Sequence, residues 1–108
     1  MSKTLKEIEK DVVQVCDGRN WNNTDPNQLI ASIMIELAEL AEHYQWQNDF
    51  SKIDTLNKKG KDELGEEFVD VLFYLLRLSH RSGIDIEKYF YKKLPKIKTK
   101  KYDKTYKP

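Results

Sequence analysis

Two long segments with helical periodicity constrain the fold of this chain most. Between residues 26 and 47, and again from about 61 to 81, apolar residues recur at intervals of three and four positions. This spacing is typical of an α-helix. Both segments are apolar around most of the helix circumference, as expected for helices at the centre of a domain. No stretch competes with a strand pattern, so the sequence predicts an all-α protein.

Start and stop signals set the limits of three predicted helices. The first covers about residues 4–17 and ends at Gly18, since glycine commonly follows a helix. The Thr-Asp-Pro sequence at 24–26 predicts the start of the second helix, because proline is well placed in a first helical turn. The third helix is predicted to begin after the Lys-Lys-Gly break at 58–60.

A fourth helix is predicted to begin after Asp85, which would cap it. It is expected to reach about residue 94, where Pro95 interrupts or bends it. Short connections between consecutive helices favour antiparallel neighbours. We therefore predict a four-helix antiparallel bundle that forms one domain over residues 1–108, with a lysine-rich tail at 95–108.

Charge is distributed unevenly along the chain. Residues 92–107 contain eight lysines and one acid, a charge of +7, so the remainder carries −6 within the net charge of +1. An acidic body attracts cations, and a basic tail attracts an anionic ligand. The pattern favours a protein that brings both together.

Several features predict a cytoplasmic protein without a membrane partner. Its single cysteine, Cys16, cannot form an internal disulfide, and the sequence contains no Cys/His cluster typical of zinc sites. The N-terminus lacks the apolar region of a signal peptide. The most apolar stretch, residues 68–78, is much shorter than the roughly 20 residues of a membrane span.

Each central helix carries two acids spaced i,i+3 on an otherwise apolar background: Glu36 and Glu39 on one, Glu67 and Asp70 on the other. Carboxylates that face each other in an interior repel and become protonated unless a cation compensates them. Four carboxylates form an all-oxygen site, which suits Mg²⁺ or Mn²⁺ better than zinc. The pattern therefore indicates a metal site, while solvated faces or pairing with arginines and lysines remain the alternative.

A di-iron site is disfavoured by the same residues. Such sites require a Glu-x-x-His motif on each of two helices. The nearest match here, Glu39 with His43, has the wrong spacing, and the third helix has no histidine before His80.

The stretches ELAELAEHYQW at residues 36–46 and EEFVDVLFYLL at 66–76 resemble the MazG-like all-α nucleoside triphosphate pyrophosphohydrolases. The resemblance covers about residues 19–102 and is strongest to the small dCTP pyrophosphatase-like branch. It implies Mg²⁺-dependent hydrolysis between the α and β phosphates of (d)NTPs, of pyrimidine or modified deoxynucleotides in particular, as nucleotide-pool house-cleaning. It also implies a homodimer or a dimer of dimers, which the small bundle with its apolar central helices also favours.

The resemblance further implies that Trp21 and Trp46 contact the nucleobase, with His43 and Tyr74 near the base or sugar. Aromatic faces stack on any base, for about 1–3 kcal/mol per base, so they do not identify which base is bound. The alternatives stay open: core or interface packing for Trp46 and Tyr74, a subunit contact for Trp21, and a structural role for His43.

The basic C-terminal segment resembles a Lys-Asn-x-x-Lys-Tyr-Pro tail that reaches toward the phosphates in that family. Here Lys98 occupies the asparagine position and Asp103 replaces the proline. The resemblance implies that Lys98 and Tyr102 approach the triphosphate, and a solvated lysine run is the alternative.

A triphosphate cannot bind directly to an acidic quartet, so Mg²⁺ must bridge them and activate the attacking water. Glu39 is the predicted general base. Arg77 and Arg81, on the same stripe as Glu67 and Asp70, either contact phosphate or balance charge. The alternative function is a non-catalytic helical oligomerisation or nucleic-acid-binding protein. No helix presents the spaced basic residues of a reading head, so no stable nucleic-acid partner is expected.

Overall fold

Short oxygen-bearing side chains determine where the four helices begin. The computed structural model describes residues 2–45 and 56–100. Within these ranges the helices are α1 (Leu5–Gly18), α2 (Pro26–Gln45), α3 (Lys58–Arg81) and α4 (Ile86–Thr99), and no residue there lies in a strand. The predicted all-α class is confirmed.

The residue before each helix accepts a backbone N–H of the first turn through its side-chain oxygen, a preference of helix N-caps. These residues are Thr4, Asp25, Asn57 and Asp85. At α1 the Glu7 carboxylate also accepts the Thr4 backbone N–H at 3.0 Å, which completes a capping box.

The predicted start of the third helix after 58–60 is wrong, because α3 already begins at Lys58. The Asn57 side chain accepts the Gly60 backbone N–H at 2.8 Å, and this cap draws the glycine into the first turn. A glycine inside a helix costs only about 1 kcal/mol relative to alanine, so a good cap can offset it.

The predicted end of the fourth helix at about residue 94 is also wrong, because α4 continues through Pro95 to Thr99. Proline cannot donate to the carbonyl of Tyr91, four residues earlier. Tyr91 is exposed, so water can satisfy that carbonyl. The Thr99 hydroxyl then donates to the Pro95 carbonyl at 3.0 Å, and the helix ends there.

The antiparallel arrangement of α2 and α3 positions the site. Thr24, just before α2, contacts Arg77 late in α3, whereas His43, late in α2, lies near Glu67 early in α3. α1 packs on both α3 and α4. Among the described residues, the buried apolar side chains come from α1, α2 and α3: Cys16, Leu29, Leu64 and Leu76. α3 therefore packs against both α1 and α2, whereas α4 packs against α1.

One face of the α2–α3 pair remains uncovered in the single chain. Apolar side chains that recur at helical spacing are exposed there: Ile30, Met34 and Leu37 on α2, with Phe68, Val69, Leu72 and Leu75 on α3. Among the described residues, none of the helices is both long and apolar enough to cross a membrane.

Candidate functional site

The antiparallel packing of α2 and α3 brings three of the four predicted metal ligands together. One carboxylate oxygen from each of Glu36, Glu67 and Asp70 lies within 4.8 Å of the other two. Glu36 and Glu67 are half-buried, and Asp70 is exposed. The cluster therefore has a protected side and a side open to solvent, which would admit an ion and a ligand.

Two oxygens of this cluster lack a protein partner. Glu36 Oε2 and Glu67 Oε2 are both buried, and neither accepts a hydrogen bond from any residue that the structure describes. Buried acceptors are nearly always satisfied, because an unpaired one is costly. A divalent cation would satisfy both oxygens, and an all-carboxylate set fits Mg²⁺ or Mn²⁺. The residues present thus fit the metal that the sequence indicates.

Glu39, the fourth predicted ligand, lies at the edge of the cluster. It is exposed and is not among the three acids whose oxygens converge. It nevertheless interacts with Glu36: burial first, and then the neighbouring Glu39, Asp70 and Glu67 carboxylates, hold the pKa of Glu36 above its usual value. Glu39 is therefore within reach of the centre but remains in contact with water.

The raised pKa of Glu36 predicts that the free energy of unfolding of the metal-free protein depends on pH. The folded state binds this proton more tightly than the unfolded state does, so stability falls as pH rises above the ordinary glutamate value of 4.5. Glu36→Gln should therefore raise the melting temperature of metal-free protein at pH 7, and this gain should vanish below pH 4.5. Mg²⁺ at a hundredfold excess over its Kd should stabilise the wild type by about 2.7 kcal/mol and the variant by less.

Thermal unfolding across pH, in chelator and in Mg²⁺, measures both effects. Glu42→Gln is the matched control, because Glu42 is an exposed glutamate of the same helix. An equal gain for Glu36→Gln at pH 4 and pH 7 would contradict the titration of this carboxyl as the cause.

Of the predicted substrate contacts in this part of the chain, His43 is the one that lies beside the acids. The His43 Nε2 atom is 4.0 Å from Glu67 Oε1. Lys98 is exposed near the end of α4 and, among the described residues, makes no ion pair with the acids. Trp46 and Tyr102 lie outside the described residues.

Arg77 connects the two predicted aromatic residues that the structure describes. Its Nη2 group donates to the Trp21 carbonyl at 3.2 Å and to Thr24 Oγ1 at 3.0 Å. Its guanidinium carbon lies 5.4 Å from the Trp21 ring centroid and 5.3 Å from that of Tyr74. The sequence reasoning missed this link. The available signal was an arginine on a helix predicted to be central, where a charge needs partners.

An open hollow of about 600 Å³ borders the acid cluster at Asp70, beside the glycine at position 65. A second groove, of about 570 Å³, lies between α1 and the segment after α3, around His80. Ten residues of helix, about 15 Å, separate His80 from Asp70. Only the first hollow therefore adjoins the acids.

Comparison with known proteins agrees with this geometry. The sequence pattern of the MazG-like family matches residues 31–107. The chain is 32% identical over 85 residues to dCTP pyrophosphatase 1 of Rattus norvegicus and 31% identical to that of Homo sapiens. These matches cover 77% of this chain and 50% of each relative, so the chain spans about half their length.

A solved structure shares the fold. The crystal structure of a pyrophosphatase from Archaeoglobus fulgidus superposes with a TM-score of 0.75 at 31% sequence identity. The match covers 94% of this chain and 96% of that one, so it includes the helices that carry the acids.

Proposed function

Because the chain belongs to the MazG-like family, we propose that it is a nucleoside triphosphate pyrophosphohydrolase. It would cleave between the α and β phosphates and release a nucleoside monophosphate and pyrophosphate. The observation that carries this proposal is the convergence of Glu36, Glu67 and Asp70 with two buried, unpartnered oxygens. The dCTP pyrophosphatase relatives and the archaeal pyrophosphatase support the same activity.

Glu36, Glu67 and Asp70 would hold Mg²⁺, with Glu39 as the fourth ligand or its neighbour, and Mn²⁺ is the alternative ion. If bound there, the ion would neutralise phosphate oxygens and would make a water molecule at the site more acidic. The carboxylates that would hold the ion come from two helices, α2 and α3, that pack against each other. Glu36 and Glu67 are half-buried, so an ion or ligand would reach the cluster from the side of the exposed Asp70.

Glu39 is the proposed general base. A carboxylate that accepts a proton from water must reach the reacting centre and remain ionised at neutral pH. Glu39 is exposed and adjoins Glu36, so it meets the first requirement from the solvent side of the cluster. Its position suits a group that exchanges protons with bulk water.

The nucleotide would extend from the acids toward the aromatic residues. His43 adjoins Glu67, and Tyr74 and Trp21 contact the same guanidinium. Base contacts by Trp46 and phosphate contacts by Lys98 and Tyr102 remain predictions from the sequence. A pyrimidine or modified deoxynucleotide is the proposed substrate class, in nucleotide-pool house-cleaning, and the names of the relatives make dCTP the first candidate.

We further propose that the chain works as a homodimer or a dimer of dimers. The exposed apolar face of α2 and α3 supports this, because soluble monomers rarely leave a contiguous apolar patch uncovered. Closed symmetric association is the common way to cover such a face. The reducing cytoplasm is the proposed compartment, consistent with the free, buried thiol of Cys16.

Product analysis on a panel of canonical and modified (d)NTPs with Mg²⁺ tests the activity. We expect equal amounts of monophosphate and pyrophosphate from at least one substrate, and no product in EDTA. Turnover that yields inorganic phosphate and a diphosphate would contradict the proposed bond. A folded, Mg²⁺-loaded protein that hydrolyses no triphosphate would contradict the proposed function, and salt-dependent binding to nucleic acid would then favour the non-catalytic alternative.

A further inference from the structure

Arg77 is a charged side chain in an unusual setting. It is only 8% exposed, and among the described residues it makes no ion pair. A buried charge is costly unless hydrogen bonds or an opposite charge compensate it. Arg77 must therefore be held there by other partners, and they come from a distant part of the chain.

Those partners lie in the segment that leads into α2. The Arg77 Nη2 group donates to the Trp21 carbonyl and to Thr24 Oγ1, residues 56 and 53 positions away in sequence. The Thr24 hydroxyl donates to the same Trp21 carbonyl at 2.7 Å. The guanidinium and the hydroxyl thus converge on one backbone oxygen and attach this segment to α3.

The segment that leads into α2 is also bonded to the end of α1. The Trp21 backbone N–H donates to the Cys16 carbonyl at 2.8 Å, after Asn20 has turned the chain through a left-handed conformation with φ of 60°. The Trp21 backbone is therefore bonded to the end of α1 through its N–H and to α3 through its carbonyl. The Trp21 residue is still 41% exposed and can contact a ligand.

The same guanidinium orders two aromatic rings. Its central carbon lies at similar distances, 5.4 Å and 5.3 Å, from the ring centroids of Trp21 and Tyr74, within the range of cation–π attraction. Tyr74 stands one helical turn after Asp70 on α3. Trp21, Arg77 and Tyr74 therefore form a wall in which both rings flank the one guanidinium, and one rigid helix carries Asp70, Tyr74 and Arg77.

We propose that Arg77 is a positioning residue that holds Trp21 beside Tyr74 and thereby preforms the wall on which the base of the nucleotide stacks. This inference rests on the proposed nucleotide pyrophosphohydrolase function. Arg77 acts through Trp21 and Thr24 rather than on the phosphates, since its Nη2 group is bonded to the segment before α2. Preformed contacts lower the ordering cost of binding, so Arg77 affects substrate affinity more than the chemical step.

Arg77→Met should raise KM about tenfold, as expected for the loss of charge-assisted hydrogen bonds, and change kcat less than about twofold. Thr24→Val removes the shared hydroxyl, leaves the guanidinium in place and should raise KM in the same direction. Arg77→Lys keeps the charge but lacks the planar fork, so it should not restore KM. Lys59→Met removes an exposed cationic side chain of the same helix and is the matched control.

A second readout needs no substrate. The chain has two tryptophans, so in a Trp46→Phe background the fluorescence reports on Trp21 alone. Arg77→Met and Thr24→Val should increase acrylamide quenching of Trp21, whereas Glu67→Gln and Lys59→Met should not. This separates failure of the positioning role from failure of the proposed function.

Three results would overturn the proposal. The first is unchanged Trp21 quenching in folded Arg77→Met. The second is full recovery of KM by Arg77→Lys, which would show that charge alone matters. The third is a fall in kcat at constant KM, which would place Arg77 in the chemical step. If Arg77→Met does not fold, Thr24→Val decides by the same two readouts.

Discussion

Glu67→Gln should lower kcat by about a thousandfold while the protein stays folded. A bound metal contributes several kcal/mol of charge stabilisation in the transition state, and each 1.36 kcal/mol corresponds to a tenfold change in rate. Glutamine has the same shape but carries no charge, so the centre loses a ligand whose Oε2 atom is buried and unpartnered within the described structure. The cluster would then retain two carboxylates, one of which, Asp70, is exposed.

Steady-state rates at saturating substrate, measured across a Mg²⁺ titration, test this prediction. Glu66→Gln is the matched control, because Glu66 is the adjacent glutamate and is exposed. Its kcat should stay within about twofold of the wild type, since a surface charge outside the centre contributes little. A Glu67→Gln variant that retains a tenth of the wild-type kcat at saturating Mg²⁺ would contradict the assignment of Glu67 as a ligand.

Met34→Glu should dissociate the proposed oligomer. Met34 is 65% exposed in the single chain and lies on the apolar face of α2 with Ile30 and Leu37. If a second copy covers this face, the new carboxylate becomes buried without a partner, at a cost of several kcal/mol. The dissociation constant should therefore rise by about a thousandfold.

Sedimentation over a range of protein concentrations measures this change. Tyr91→Glu is the matched control, since Tyr91 is also 65% exposed but lies on α4, outside the α2–α3 face. We expect the control to keep the mass of the wild type while Met34→Glu approaches that of a monomer. A wild type that sediments as a monomer at every concentration would contradict the proposed assembly.

The local sequence is enough to predict that the four helices exist, but it does not give the correct boundary at two helix ends. The Thr-Asp-Pro start of α2 was predicted correctly because Asp25 and Pro26 act within one turn. The sequence predicts the beginning of α3 too late and the end of α4 too early, because Gly60 and Pro95 are residues that disfavour a helix. Glycine and proline only weaken a helix, and a cap or a solvated carbonyl elsewhere decides whether it continues.

The candidate site, too, is only partly predictable from the sequence. The i,i+3 spacing of Glu36 with Glu39, and of Glu67 with Asp70, is a property of each helix, so the sequence was enough to indicate two acidic stripes. Which carboxylates meet depends on the register between α2 and α3. That register brings Glu36 to Glu67 and Asp70, and leaves Glu39 at the edge.

Residue type and helical period are properties of the sequence alone, so they were enough to predict the all-α class, the acidic stripes and a candidate site whose ligand atoms are all oxygens. The tertiary structure decided which oxygens lie buried without partners and how Arg77 reaches Trp21 and Thr24. These depend on contacts between residues more than thirty positions apart in the chain, and no local pattern encodes the packing that produces them.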